Sequence, residues 1–284
     1  MMRTVLPLAV LMATALALTP PRREKKLVKV WETDTTLRVP ESALYNPKDG
    51  FIYVANIDGR ADALDGNGFI SRVTPEGTIE SLRWVVGLNA PKGMGIHKNR
   101  LYVTDVYRLV AIDLATGQAL NHWDAVGDKP FLNDVTIDRQ GTVYVSDNRN
   151  NKIYRLHNNR MEVWMEGEAL QNPNGLRAAG RSLLVGSTKI GALRLLDPVS
   201  KQFRTLADGM ANTDGIVARG KQDFLVSDWN GQLFWVGADG QKQQLLDTRP
   251  QKINAADIDY IPGRRLVLVP TFLHNTLAAY RVED

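Results

Sequence analysis

Glu41, Asn133, Asn174 and Asp214 each stand just ahead of a strand-like run, and the last three follow one another at intervals of 41 and 40 residues. Extended along the chain, the series Glu41, Met94, Asn133, Asn174, Asp214, Ala256 has spacings of 53, 39, 41, 40 and 42. Two carboxylates and two amides that converge are costly to bury without a shared partner, and a divalent cation suits them. The chain has no cysteine and only four histidines, His97, His122, His157 and His274, none in HxxxH spacing. That excludes disulfides, thiolate nucleophiles and His- or Cys-rich metal sites. Oxygen-only ligands favour a hard ion: Ca2+ first, then Mg2+ or Mn2+, with Zn2+ less suited. Asn174-Gly175 and Asp214-Gly215 also read as turn formers, a reading that leaves Glu41 unexplained.

The elements that must bring such residues together are short strands. One phrase recurs six times, over Phe51 to Asn56, Leu101 to Asp105, Val143 to Asp147, Leu183 to Ser187, Phe224 to Asp228 and Leu266 to Pro270. Counted from Ile52, Leu101, Val143, Leu183, Phe224 and Leu266, the offsets are 49, 42, 40, 41 and 42. Each phrase follows a turn sequence such as Lys48-Asp49-Gly50 and is succeeded by further strand-like runs, so every unit holds four strands. Six such units predict an all-β, six-bladed β-propeller of antiparallel strands, with a pair of stacked sandwiches as the alternative. The last unit is one strand short. Lys26 to Trp31 is a strand without a blade, and it is expected to close the ring as the missing outer strand.

In a propeller the residues opening each innermost strand converge at one end of the central channel. The connections between second and third strands then form the mouth of a pocket. They include the Gly-rich insertion Ile57 to Gly68, a candidate lid, together with Trp229-Asn230-Gly231 and Phe272-Leu273-His274-Asn275. His274 is a candidate proton donor or acceptor there. Phe131, Met94, Trp229 and Phe272 would make the walls partly apolar. Asp105, Asp147 and Asp228, which close three of the repeated phrases, read as acceptors of turn hydrogen bonds.

The ordered set of a Pro-Glu opening in the first unit, Asn-Asp in the third, Asn-Gly in the fourth and Asp-Gly in the fifth resembles the SMP-30/gluconolactonase/LRE-like family. That family includes sugar lactonases and is related in architecture to diisopropylfluorophosphatase. The resemblance runs over essentially the whole chain after its first residues. It implies Glu41, Asn174 and Asp214 as metal ligands, Asp214 also as catalytic base or nucleophile, and Asn133 as a substrate-binding residue. Phe131 stands where the sugar lactonases carry an arginine, so an apolar ring replaces a guanidinium that grips substrate oxygens.

Met1 to Leu18 has a positive start, an apolar run and an Ala15-Leu16-Ala17 cleavage pattern, which predicts a signal peptide over residues 1–17 and a single domain over 18–284. The protein is then expected in the periplasm or outside the cell, with no membrane span in the mature chain; an N-terminal anchor is the alternative. A formal charge of +4 without a dense basic face argues against nucleic acid. A closed ring needs no partner for stability, so a monomer acting on a small molecule is expected. There is no G-x-S-x-G, no P-loop and no G-x-G-x-x-G, which removes a serine hydrolase and nucleotide cofactors. The expected function is a metal-dependent hydrolase of a lactone or related ester. The alternative is a non-enzymatic periplasmic propeller that binds a ligand or protein around a structural calcium.

Overall fold

A computed structural model describes residues 24–283 apart from 221, 222 and 238. The expected signal segment, residues 1–17, lies outside the described residues. The strands form six four-stranded antiparallel sheets, five of them built from consecutive strands. The sixth joins Asp259–Ile261, Leu266–Pro270 and Leu277–Glu283 to the N-terminal strand Lys26–Glu32, which pairs Lys26 with Glu283 and Glu32 with Ala278. The chain is thus a six-bladed propeller locked by its first strand, and the stacked-sandwich alternative is ruled out. No helix among the described residues is long and apolar enough to cross a membrane.

Strand alternation builds the ring. Successive side chains of a strand face opposite sides of its sheet, so a blade packed between two neighbours needs apolar residues on both. In Arg100–Asp105, Leu101 and Val103 pack toward blade one while Tyr102 packs toward blade three. In Ser182–Ser187, Leu184 packs toward blade five and Val185 toward blade three. Each of the six blade interfaces therefore has its own core cluster. A fully buried Leu, Ile or Val contributes about 1.5–3 kcal/mol.

The innermost strands share a second feature that positions the site. Pro40–Tyr45, Pro91–His97, Leu132–Ile137, Pro173–Ala179 and Thr213–Arg219 each slip register near their start, as where Pro91 pairs with Asp105 but Met94 with Val103. A bulge of this kind re-aims side chains and is common beside active sites. Glycine makes the crowding there possible. A Cβ on Gly175 would lie 1.8 Å from the Asp214 carbonyl oxygen, one on Gly215 2.3 Å from the Ile258 nitrogen, and one on Gly93 2.5 Å from the Asp134 Cα. Gly175 and Gly215 therefore sit inside strands to let the next blade approach, which corrects the turn-former reading.

Candidate active site

Register decides which residues form the ring at the channel's end. Pro40, Pro91, Leu132, Pro173 and Thr213 occupy equivalent pairing positions, opposite Asn56, Asp105, Asp147, Ser187 and Asp228. The residue that follows each is Glu41, Lys92, Asn133, Asn174 or Asp214. Blade two thus contributes Lys92, and the assignment of Met94 to the ring is corrected. Met94 lines instead the wide opening of about 590 Å³ at the other end of the inner strands, with Tyr45, Arg177 and Asp259. Lys92-Gly93 matches Asn174-Gly175 and Asp214-Gly215, and intervals of 51, 41, 41, 40 and 42 from Glu41 through Lys92 to Ala256 are more even from blade two onward. That pattern was a legible sequence signal for Lys92.

Glu41, Lys92, Asn133, Asn174 and Asp214 line one cavity of about 190 Å³, walled by Ile57, Ala61, Phe131, Trp229 and Phe272. This cavity, though smaller than the opening at the far end, is where buried polar side chains converge. Ile57 and Ala61 come from the Gly-rich insertion and pack with Ala90, Val106 and Phe272 into an apolar cluster at the mouth. Trp229 and Phe272 meet edge to face, ring centroids 5.3 Å apart. The sequence placed Phe131, Trp229 and Phe272 in this wall, and it missed Lys92. His274 is not brought to the cavity: it is exposed, and it acts electrostatically on Glu32.

The main chain of the ring is pinned by hydroxyls from the second strands. Ser146 Oγ accepts from the Asp134 N–H (2.9 Å) and donates to the Asn174 carbonyl (2.7 Å). Ser227 Oγ does the same between Gly215 (2.8 Å) and Ala256 (2.7 Å), and Thr104 donates to the Asn133 carbonyl at 2.5 Å. The adjacent aspartates are structural, as their repetition suggested. Asp105 accepts from the Asn89 and Ala90 N–H groups at 2.8 Å each, just ahead of Lys92, while Asp147 and Asp228 accept from Asn150 and Asn230. Val39 and Val106 hold left-handed backbone, φ 49° and 60°, beside the Pro40-Glu41 and Leu132-Asn133 entries. A β-branched residue there carries strain of about 1–3 kcal/mol, a feature concentrated at functional sites.

Burial pushes the Glu41 carboxyl well above the usual range, and the charges of Asp214 and Asp257 push it further while Lys92 opposes them. Asp214 is raised by burial and by Asp257 and Asp228, against hydrogen bonding from the Asn174 amide. Burial brings the Lys92 ammonium down to about 8, with Glu41 holding it up. Glu41 Oε2 and Asn174 Oδ1 are buried without a hydrogen-bond partner. Orphaned oxygens on a cavity wall, flanked by the Asp214 carboxylate, are the donor set a hard cation needs. Among the described residues no cluster of three or more His, Cys, Asp and Glu has the arrangement of a metal site. A cation here would therefore be held by two carboxylates and amide oxygen, and these residues fit that role.

No protein-family model matches the sequence, and no curated protein matches it. Solved structures do share its fold. A gluconolactonase from Xanthomonas campestris is 16% identical, with a TM-score of 0.68 over 90% of this chain and 89% of that one. A streptogramin B lyase is 13% identical, with a TM-score of 0.67 over 91% and 98%. The virginiamycin B lyase of Staphylococcus aureus is 13% identical, with a TM-score of 0.63 over 91% and 99%. What this chain has in common with these gluconolactonase and lyase propellers is their architecture along nearly its whole length.

Proposed function

We propose that the protein is an exported hydrolase that opens a small lactone or related ester, using a divalent cation and Asp214. The observation that carries this reading is the pair of orphaned buried oxygens, Glu41 Oε2 and Asn174 Oδ1, on the cavity that Asp214 also lines. A bound hard ion, Ca2+ before Mg2+, Mn2+ or Zn2+, would supply Lewis-acid polarisation of the substrate carbonyl. Glu41, Asn174 and Asp214 are the residues to hold it. Asp214 takes the proton of an attacking water, or attacks the carbonyl carbon itself. The acyl C–O bond then breaks, and its oxygen leaves with a proton as the new hydroxyl. The Asn133 amide faces the substrate, and Ile57, Trp229 and Phe272 keep bulk water from the reacting carbonyl. At about 190 Å³ the cavity falls below the ~300–1,000 Å³ of drug-sized pockets, which suits a small substrate. The apolar start of the sequence supports a periplasmic or secreted location, and the closed ring supports a monomer.

The test is turnover of lactones, aryl esters and phosphotriesters with Ca2+ or Mn2+, comparing wild type with Asp214→Ala and Glu41→Gln. Ion-dependent hydrolysis lost in both variants is expected. Stoichiometric ion binding without turnover of any substrate would favour a ligand-binding propeller with a structural ion. A wild type that binds no ion, with Glu41→Gln leaving the melting temperature unchanged, would remove the site itself.

A further inference from the structure

The cavity is charged unevenly around its rim. Blades one, four and five supply Glu41, the Asn174 side-chain amide oxygen and Asp214. On blade two, Lys92 lines the same cavity and stands against the Phe131 ring, its ammonium 4.4 Å from the centroid. Arg149, at the mouth of blade three, stands 4.6 Å from that ring but is exposed, lies outside the cavity lining and donates to the Lys129 carbonyl at 3.4 Å. Lys92 is 1% exposed. Its ammonium makes one hydrogen bond among the described residues, to the Ala90 carbonyl at 3.3 Å, and no carboxylate there lies within ion-pair distance. An ammonium has three N–H donors, so two remain for whatever enters the cavity. A buried charge so lightly partnered is costly unless a ligand completes it.

A carboxylate suits this ammonium, because its oxygens can accept from the N–H donors that the chain leaves free. We propose that Lys92 binds a carboxylate carried by the substrate, so the pocket takes a small carboxylated lactone or ester with its reacting carbonyl toward Glu41, Asn174 and Asp214. The charge absent at position 131 is then supplied by the Lys92 ammonium against the Phe131 ring. The proposal deepens the hydrolase reading and rests on it only for the carbonyl half.

Calorimetric titration of the purified protein in EDTA, with glutarate and with neutral glutaramide as probes, tests the carboxylate half alone. Glutarate is expected to bind at least ten-fold more tightly than glutaramide. Lys92→Met should lose that preference, Lys92→Arg should retain it, and Arg149→Met, outside the cavity lining, should keep it. Equal binding of the two probes, or a Lys92→Met protein of unchanged glutarate affinity, overturns the proposal, and Lys92→Arg serves if Lys92→Met does not fold. In a second arm, kcat/KM for 5-oxotetrahydrofuran-2-carboxylate should exceed that for γ-butyrolactone at least ten-fold, and Lys92→Met should bring the ratio toward one. Probe discrimination without any lactone turnover would defeat the hydrolase reading and leave the carboxylate site standing. Turnover with neither preference would do the reverse.

Discussion

The channel holds two tiers of buried carboxylates that differ in how they are partnered. In the tier at the mouth, Glu41 keeps an oxygen with no hydrogen bond, and Asp214 stands beside it in the cavity wall. In the tier beneath, Asp134 accepts from the Val135 and Leu176 N–H groups at 2.6 Å, Asp257 from the Ser42 hydroxyl at 2.9 Å, and Asp259 from the Tyr45 N–H at 2.8 Å. The lower acids tie first strands to one another across blade boundaries. In the upper tier Glu41 Oε2 has no partner, and Asp214 takes its hydrogen bond from Asn174, a fellow member of the ring, rather than from a neighbouring strand's backbone. Burial raises the pKa of both tiers, so desolvation alone does not mark a site; the unfilled hydrogen-bonding capacity does.

Substitutions in the two tiers should therefore have opposite signatures, and the largest effect belongs to the upper one. Asp214→Asn should lower kcat for the best lactone or ester substrate about 10³-fold, equivalent to about 4 kcal/mol, while raising the apoprotein's melting temperature because a buried charge is gone. A melting temperature that falls with activity would erase the contrast. Gly175→Ala strikes the close approach that sets one tier against the next blade. With a Cβ only 1.8 Å from the Asp214 carbonyl, it should cost about 3 kcal/mol or more in urea unfolding. In the lower tier, Asp134→Ala leaves the Val135 and Leu176 N–H groups unsatisfied and should cost about 2–3 kcal/mol by the same measurement.

The pH dependence sharpens the comparison further. Burial, aided by the charge of Asp214, raises Asp134 from 3.8 to about 7 against its two backbone hydrogen bonds, and burial raises Asp257 and Asp259 as well. A carboxyl raised on folding binds more protons folded than unfolded between those two values. Its contribution is greatest below the unfolded pKa and is lost as pH rises through the folded one. Without divalent ions, stability measured by urea unfolding should thus fall from pH 4 toward pH 7. Adding Ca2+ at pH 7 should restore it in wild type and not in Glu41→Gln. A flat profile would mean the lower tier is already charge-balanced. The smallest effect is expected outside both tiers: Arg60→Ala, breaking the exposed Arg60 to Asp62 pair of the insertion, should change stability by less than about 0.5 kcal/mol.

Much of this arrangement was legible in the sequence, and the gaps have physical causes. Glu41, Asn133, Asn174 and Asp214 were found because repetition marks equivalent positions without any knowledge of shape, and Phe131 because the family resemblance points two residues before Asn133. Lys92 was missed because Met94, two residues on, keeps the same strand alternation, and an apolar residue looks natural in an inner strand. A two-residue slip leaves a period-two pattern intact, so only the pairing of Pro91 with Asp105 chooses between them. His274 was placed at the mouth by its loop, yet a loop's position does not fix where a side chain goes. The lower tier was invisible since Asp134, Asp257 and Asp259 resemble any strand-end aspartate until the blades close on them.

By itself the sequence determined the period, the count of blades, the closing role of Lys26–Glu32 and most of the ring, because each follows from local strand patterning repeated at a fixed interval. Only the tertiary structure decided which blade-two residue joins the ring, which carboxylates find hydrogen bonds and which oxygens are left open. Those are outcomes of bulged register and of contacts between blades some 40 residues apart, and no local pattern encodes them.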